Sequence, residues 1–321
     1  MTDPANAAGF IETTYEQLAK LGDSGLCCSP IELYSEEELA SLPDEILRLS
    51  SGCGHPVEDA DITRGMTVLD IGSGAGADAF LAARQTGPTG RVIGVDPSES
   101  MRERAVRNAA ELGLTWIEFR AGTAEHLPVD GGTVDLVISN CVLSLSTDPV
   151  KAWTEIARTL KPGGQIVVSD IVGGAATETL DAKTRCETGI EWPDYQAMLL
   201  SLGFSAIRPV RVRAAKYRDG STARSVTIRA VRGLPRPRIA VDLIHAPGTA
   251  TATALAEQIS DSFTGRVEVR TIDASDPVNS DIVALLLNAA GPVPAISIAI
   301  DGLPAGVGAD DLRGYLRDRL E

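Results

Sequence analysis

Five cysteines are the side chains of this 321-residue chain with the most reactive chemistry. The first two are adjacent and the others stand far apart along the chain, at Cys27, Cys28, Cys53, Cys141 and Cys186. A disulfide framework is denser and usually has an even number of cysteines. In a reducing compartment, scattered thiols act as small buried hydrophobes, as ligands for soft metals or as redox groups. For any one cysteine taken alone, an inert buried thiol is the simplest interpretation.

A glycine-rich loop between a predicted strand and a predicted helix is the second candidate site. Residues 70–76 read Asp-Ile-Gly-Ser-Gly-Ala-Gly, and glycines there let the backbone approach a ligand closely. With Ala77 the loop also fits the dinucleotide-binding pattern, and Asp96, after the next strand, would bind ribose hydroxyls in either case. Asp70 favours a cationic ligand, because a carboxylate just ahead of the glycines would repel a pyrophosphate. A tight turn without a ligand is the remaining alternative.

The elements that must position these residues alternate between strands and helices. Strands are predicted over residues 67–71, 91–95, 116–120, 134–139 and 165–169, and helices over residues 78–84, 100–113 and 150–160. That alternation predicts a parallel sheet with helices on both faces. Ser100 and Glu103 form a capping-box pattern at the start of the second helix, and Gly113 is suited to end it. Strands over residues 205–213 and 224–231 close the unit as an antiparallel hairpin.

Two smaller segments flank this unit, which is predicted over residues 66–232. Residues 1–65 form an N-terminal helical lid, with a helix over residues 36–50 that Pro43 breaks or restarts. A stiff Leu-Pro-Arg-Pro linker leads to a small α/β domain over residues 238–321. Its strands are predicted over residues 239–244, 267–272 and 295–300, and its helices over residues 251–262, 281–289 and 310–319.

Charge and hydropathy narrow the range of partners. The chain has 29 Lys and Arg against 44 Asp and Glu, which gives a net charge of −15 at pH 7. This balance argues against nucleic acids and anionic membranes as partners, since both select clustered Lys and Arg, and it favours a neutral or cationic small substrate. No apolar run reaches the roughly 18 residues of a transmembrane helix. The first residues lack the pattern of a secretory signal, so a cytoplasmic location is expected.

Residues 65–232 resemble the class I S-adenosylmethionine-dependent methyltransferases. The resemblance rests on the glycine loop, on Asp96 and on Leu-Lys-Pro-Gly-Gly at residues 160–164, a turn that this family often carries before its fifth strand. It implies a Rossmann-like α/β fold with a mostly parallel seven-stranded sheet, and S-adenosylmethionine as the cofactor. The cofactor-binding residues that it implies are Asp70, Gly72, Ser73, Gly74, Gly76, Asp96, Pro97, Met101, Thr123, Ala124, Glu125 and Asn140. Thr123 stands where many relatives place an acid.

The sequence around the cysteines resembles the arsenite methyltransferases, over about residues 10–210. The matching stretches are Tyr15, the Cys27-Cys28 pair, and residues 51–56, 68–76, 95–96, 125–128, 139–142 and 160–164. His55 departs from the pattern, since relatives usually have Asn there, and the segment around Cys186 is a loose match. The resemblance implies that Cys141 and Cys186 hold trivalent arsenic, with Cys53 as a third ligand. It also implies that Cys53 with Cys27 or Cys28 forms a reducing pair.

This chemistry explains why cysteines would be needed. Arsenic(III) is soft and binds thiolates, and its lone pair stays free to accept a methyl group. Methylation formally oxidises the arsenic, and a thiol pair can return two electrons by forming a disulfide. The expected partners are arsenite or a thiol adduct of it, and a thiol reductant such as glutathione or thioredoxin. Two alternatives stay open: a small-molecule C-, O- or S-methyltransferase with structural cysteines, and a non-catalytic metalloid-binding protein.

Residues 238–321 resemble a thioredoxin-type fold. Gly-Pro-Val-Pro-Ala at residues 291–295 is similar to the cis-proline loop of that fold, with Pro294 as the candidate proline. The redox motif CxxC is absent, and His-Ala-Pro-Gly at residues 245–248 takes the equivalent turn. The resemblance implies a degenerate docking or dimerisation module.

Overall fold

The computed structural model of the chain describes most of it, with several gaps. The described residues are Thr13, 15–17, Lys20, 30–172, 190–216, 222–233, 239–246, 250–263, 266–287, 296–301, 303–304 and 312–320. Cys27, Cys28, Cys186 and Pro294 therefore lie outside the described residues, as do the predicted linker and the turn of the predicted hairpin.

Short helices precede the large sheet. A 3-10 turn over Pro30–Leu33 is followed by α1 (Glu36–Ser41), α2 (Asp44–Leu49) and α3 (Pro56–Asp59). The predicted break at Pro43 is confirmed, because Pro43 is the N-cap of α2 and cannot donate a helical hydrogen bond. Helix α1 begins with a capping box in which Ser35 and Glu38 satisfy each other's backbone N–H groups. Helix α3 was not predicted from the sequence.

Seven strands form the large sheet. They are β1 (Thr67–Ile71), β2 (Arg91–Asp96), β3 (Ile117–Ala121), β4 (Val134–Asn140), β5 (Leu160–Ile171), β6 (Phe204–Lys216) and β7 (Thr222–Arg232). Their order across the sheet is β3-β2-β1-β4-β5-β7-β6. The first five run parallel, and β7 pairs antiparallel with both β5 and β6. The predicted Rossmann-like, mostly parallel seven-stranded sheet is confirmed.

Four helices accompany this sheet: α4 (Ala77–Thr86), α5 (Glu99–Glu111), α6 (Pro149–Thr159) and α7 (Trp192–Ser201). Two apolar clusters fill the core, one including Trp153 of α6 and the other Phe80 of α4. The order of the strands reverses between β1 and β4, and such a switch point opens a crevice at the carboxyl ends of the strands, where ligands of open α/β sheets bind.

Two local predictions for this unit were wrong. The N-cap of α5 is Ser98, whose side chain accepts from the Met101 N–H, and Ser100 lies inside the first turn. The helix starts earlier than predicted because β2 ends at Asp96 and Ser98 supplies the first suitable side-chain oxygen. Strand β5 begins at Leu160, earlier than predicted. Its pairing with β4 is interrupted between Leu160 and Gln165, and Gly163 has φ +81°, so the predicted turn is present as an irregular start of the strand.

The remaining elements form a second, four-stranded sheet. They are β8 (Ile239–His245), α8 (Ala250–Ser262), β9 (Val267–Asp273), α9 (Ser280–Leu287), β10 (Ile296–Ile300), β11 (Leu303–Pro304) and α10 (Leu312–Leu320). The strand order is β11-β10-β8-β9, with β8 parallel to β9 and antiparallel to β10. The two-residue β11 was not predicted. The thioredoxin-type interpretation and the domain boundaries stay predictions.

The second sheet contacts the edge strand β6 of the first. The guanidinium of Arg208 donates to the Glu268 carbonyl at 3.0 Å, and that of Arg270 donates to the Pro209 carbonyl at 3.1 Å. None of the helices in the described part of the chain is both long and apolar enough to cross a membrane.

Candidate active site

A cavity opens at the carboxyl ends of β1, β2 and β4. Every cofactor-binding residue named from the sequence lines it except Gly76. Cys141, a predicted arsenic ligand, also lines the cavity. The other lining residues were not predicted to bind the cofactor, and they come mainly from the N-terminal helices and from the segment after β4. They are Tyr15, Ile46, Leu49, Ser50, Ser51, Gly52, Ala75, Ala77, Asp78, Val142, Leu145, Ser146 and Thr147.

The glycine loop forms one wall of the cavity. Gly74 has φ +51° with open space where a Cβ would point, so a ligand can lie directly against its backbone. Gly76 instead has φ +100° and caps α4, and a Cβ there would come within 2.8 Å of the Phe80 ring. Gly76 is therefore required by the turn and by packing, which explains why it does not line the cavity.

Three buried carboxylates surround the cavity floor. Asp96 accepts from the Gly74 N–H at 2.8 Å and from the Ser98 N–H at 2.9 Å, and burial raises its pKa to about 6. Burial, followed by the charges of Asp78 and Asp96, raises the pKa of Asp70 well above its usual value. Burial also raises the pKa of Asp78. No Lys or Arg is among the described residues that line the cavity, so the site favours a cation.

This arrangement fits S-adenosylmethionine. Asp70 Oδ2 is buried and has no hydrogen-bond partner in the described part of the chain, and an unpaired buried carboxylate oxygen is costly unless a ligand pairs with it. The cofactor has a sulfonium, an ammonium and ribose hydroxyls, all of which suit carboxylates. Pro97 and Met101 give the opposite wall an apolar surface suited to a flat base.

The described residues 15–17 of the N-terminal segment lie beside the cavity. Glu16 accepts from the Ser98 hydroxyl at 2.6 Å, from the Ser100 N–H at 3.2 Å and from the Ser100 hydroxyl. These donors, the Ser100 hydroxyl first, lower the pKa of Glu16 to about 2. The adjacent Tyr15 lines the cavity. The N-terminus of α5 thus anchors the segment that carries Tyr15.

Two of the five cysteines are described, and the structure brings them to the same edge of the sheet. Cys141 follows β4 directly, with φ +61°, lines the cavity and donates its N–H to the Ser169 carbonyl at 2.8 Å. Cys53, which lies between α2 and α3, is buried with its Sγ 3.9 Å from the same carbonyl oxygen. The described residues contain no group of three His, Cys, Asp or Glu placed to hold a metal ion. The predicted three-thiol set includes Cys186 and is therefore untested.

Two functional candidates were missed by sequence reasoning. Asp78 lies in the first turn of α4, two residues after the glycine loop, and that position was the only sequence signal for it. Asp170 lies near the end of β5 and accepts from the Ser144 N–H at 2.8 Å, and burial raises its pKa to about 6. The buried Tyr195 has a raised pKa because of burial and the charges of Asp170 and Cys53. Tyr195 therefore lies near both Asp170 and the Cys53 thiol.

Comparisons with known proteins agree with this geometry. Residues 62–199 match the family model of a methyltransferase domain. An arsenite methyltransferase from Halobacterium salinarum is 38% identical over 198 residues, which are 58% of this chain and 51% of that protein. One from Aquipseudomonas alcaligenes is 30% identical over 214 residues, which are 61% of each chain. The solved structure of an arsenic(III) S-adenosylmethionine methyltransferase from Chlamydomonas reinhardtii matches with a TM-score of 0.55 at 27% identity, covering 62% of this chain and 73% of that one.

The chain spans between about half and three fifths of the length of these two curated relatives. The matched domain model ends before the second sheet begins. The matched residues include β1 to β5, the glycine loop and most of the residues that line the cavity. Residues 62–199 therefore match a methyltransferase domain, and the sheet that contains them has the Rossmann-like fold expected of class I S-adenosylmethionine-dependent methyltransferases.

Proposed function

We propose that this chain methylates trivalent arsenic that is held by its cysteine thiolates. The observation that carries the proposal is the convergence of Cys53 and Cys141 on the Ser169 carbonyl, with Cys141 lining the cofactor cavity. A thiol is an unusual residue at the end of β4 for a methyltransferase that acts on oxygen or nitrogen. The similarity to proteins named arsenite methyltransferases supports the same substrate.

The two described cysteines, with Cys186 as a third, form the proposed ligand set. Each thiol that replaces a hydroxide of arsenous acid gives up a proton, and that proton leaves with the hydroxide as water. Thiolates are the ligands that soft ions select. Cys53 and Cys141 are both buried, which excludes water that would hydrolyse the arsenic–sulfur bonds.

The cofactor residues would set the direction of methyl transfer. Asp96 would hold the ribose hydroxyls, and Asp70 and Asp78, which line the same cavity, would face the positive charges of the cofactor. When bound, S-adenosylmethionine supplies an electrophilic methyl group, whose acceptance by the lone pair takes arsenic formally from the trivalent to the pentavalent state. The lone pair is itself the nucleophile, so no general base is required. Positioning is then the main contribution of the protein, and it supplies roughly 7–11 kcal/mol in favourable cases.

A second round of methylation requires two electrons. In the proposed cycle, Cys53 and one of Cys27 and Cys28 supply them by forming a disulfide, which returns arsenic to the trivalent state. Glutathione or thioredoxin would then reduce the disulfide. Vicinal cysteines rarely bridge each other because the geometry is strained, so the pairing of Cys53 with one of the two is preferred.

The test is the formation of S-adenosylhomocysteine and methylated arsenic, followed by mass spectrometry, with the full chain, arsenite and a thiol reductant. We expect turnover that depends on arsenite and that Cys141→Ser abolishes. Cys27→Ser and Cys28→Ser are the matched controls, since one of them should keep the first methyl transfer and lose later rounds. Unchanged turnover in Cys141→Ser would indicate a methyltransferase with structural cysteines. Stoichiometric arsenite binding without S-adenosylhomocysteine would indicate a metalloid-binding protein.

A further inference from the structure

The side-chain amide of Asn140 lies between the cofactor cavity and the loop that carries Cys53. Its Oδ1 accepts from the N–H groups of Cys53 at 3.0 Å and Gly54 at 3.1 Å. Its Nδ2 donates to the Gly54 carbonyl at 2.8 Å and to Asp78 Oδ2 at 2.9 Å. All the hydrogen-bonding positions of a carboxamide are therefore used, and three of the four bonds go to the backbone on either side of the thiol.

The loop is shaped to fit this amide. A Cβ at Gly52 would overlap the Asn140 carboxamide, so only glycine lets the backbone lie directly against it. A carboxylate at position 140 would lose both donors and would place a second negative charge beside Asp78. An aliphatic side chain would leave the Cys53 and Gly54 N–H groups without the acceptor that Asn140 provides, and this would weaken the hold on the loop.

The same residues belong to the cofactor cavity. Asn140, Asp78 and Gly52 all line it, although Cys53 itself does not. Asp78 is also held by the Tyr34 hydroxyl, which donates to its Oδ1 at 3.2 Å. A cation that enters the cavity draws the carboxylate of Asp78, and the amide bonded to that carboxylate is bonded in turn to the Cys53 loop.

On this basis, we infer that Asn140 is a positioning residue that couples occupancy of the cofactor cavity to the placement of the Cys53 thiol. The amide holds the thiol at the Ser169 carbonyl, beside Cys141, when the cavity is filled, and releases the loop more easily when it is empty. The link to arsenic rests on the proposed function. The coupling itself does not, because it can be measured without arsenic.

The experiment measures how fast Cys53 of the full chain is alkylated, by peptide mass spectrometry, with and without saturating S-adenosylhomocysteine. Cys53 is buried, so its alkylation reports opening of the loop. In the wild-type chain we expect the ligand to slow labelling of Cys53 about tenfold, a coupling of about 1.4 kcal/mol. In Asn140→Ala we expect faster basal labelling and less than about twofold protection. Cys141 lines the cavity and is the internal reference, since direct cover should protect it in both proteins.

Two further variants make the result decisive. Gly52→Ala displaces the loop from an intact Asn140 and should lose the protection of Cys53 in the same way, which answers the case where Asn140→Ala does not fold. Tyr34→Phe removes a bond from Asp78 that does not involve Asn140, and it should keep the protection. Full protection of Cys53 in both Asn140→Ala and Gly52→Ala would show simple steric cover and overturn the inference, as would equal loss in Tyr34→Phe.

Arsenite kinetics separate this inference from the proposed function. If the wild-type chain turns over arsenite, Asn140→Ala should raise the KM for arsenite about tenfold with a smaller change in kcat, because Cys53 is misplaced before the chemical step. An unchanged KM together with unchanged labelling would reject the role of Asn140 alone. If the wild-type chain shows coupling but no arsenite turnover, the proposed function fails and the coupling stands.

Discussion

Buried carboxylates occur in both sheets, but they have different partners. In the second sheet, Asp242 of β8 is buried against Arg270, whose Nε lies 2.8 Å away. In the first sheet, Asp70 of β1 is equally buried, but the charges that act on it are those of Asp78 and Asp96 and not that of a cation. One oxygen of each of the two carboxylates, Asp70 and Asp242, has no hydrogen-bond partner among the described residues, so the cation is the difference between them. The second sheet therefore supplies a cation from its own sequence, whereas the first leaves that place to a ligand.

This difference distinguishes a structural acid from a functional one. Burial alone does not, because a buried charge is tolerated wherever a partner offsets the loss of hydration. The informative feature is repulsion among carboxylates that form no ion pair within the described part of the chain, since such repulsion costs stability unless a ligand offsets it. By this criterion we predict that the acids of the first sheet form a binding site, whereas Asp242 of β8 pairs with Arg270 of β9.

Asp70→Asn should give the largest change in cofactor affinity and the clearest contrast with a substitution of Asp242. The variant loses a charged partner for the cationic cofactor, so we expect binding of S-adenosylhomocysteine and S-adenosylmethionine to weaken by about 1.5–3 kcal/mol, or roughly tenfold to 150-fold. The ligand-free protein should become more stable, because the amide relieves repulsion from Asp78 and Asp96. Isothermal titration calorimetry and thermal denaturation check the two effects.

Asp242→Asn is the matched control in the other sheet. It removes the charged partner of Arg270, which keeps its bond to the Pro209 carbonyl. We expect a loss of about 2 kcal/mol of unfolding free energy, below the ~3–5 kcal/mol of a fully buried pair. The loss is smaller because the Arg270 side chain is 26% exposed. Cofactor affinity should not change. If both variants change stability in the same direction, the contrast between the two sheets is wrong.

The sequence predicted the sheet better than it predicted the site. Strand β1 was predicted to the residue and the other strands of the first sheet with largely the same cores, because buried parallel strands are continuous apolar runs bounded by glycines and helices. The cap of α5 was wrong because Ser98 and Ser100 are both good N-cap residues, and only the end of β2 decides between them. The strand β11 has only two residues, too few to show the alternation of apolar and polar residues that predicts a strand.

The sequence predicted those residues of the candidate site that belong to local motifs. The glycine loop, Asp96 and Cys141 are each marked by their place after a strand. The role inferred for Asn140 depends on contacts with Cys53 and Gly54, which are 87 and 86 residues away in sequence, and no local pattern indicates such contacts. Asp78 and Asp170 look like ordinary polar residues of a helix and a strand end until burial shows that they are enclosed.

The pH dependence of the first sheet should have opposite signs for folding and for binding. Burial raises the pKa of Asp96 and of Asp170 from 3.8 to about 6 in the folded state. A raised carboxyl pKa contributes stability below about pH 4 that is lost as the pH rises through 6. The ligand-free protein should therefore gain stability from these groups on moving from about pH 7.5 to 5, as long as other groups are unchanged.

Cofactor binding should move the other way over the same range. A ligand that needs ionised Asp96 must displace its proton below pH 6, so affinity should fall about tenfold between roughly pH 7.5 and 5. Calorimetric titrations in buffers of different ionisation enthalpy would show proton release on binding at the lower pH. Affinity that stays constant over this range would mean that Asp96 does not contact the cofactor in its charged form.

Weakening the contact between the two sheets should give the smallest of these effects on stability. Arg208 of β6 is largely buried, and its guanidinium donates to the Glu268 carbonyl and lies 3.6 Å from the Glu268 carboxylate. Arg208→Met keeps the aliphatic length and removes these bonds, so we expect a loss of about 1 kcal/mol in the coupling between the two sheets. Differential scanning calorimetry should then separate one transition into two, with the second sheet unfolding first.

Arg213→Met is the control, because Arg213 on the same strand pairs with Glu58 of α3 instead. Splitting in both variants would mean that β6 itself is weakened. No splitting in Arg208→Met would mean that the remaining contacts, which include the bond of Arg270 to the Pro209 carbonyl, join the two sheets.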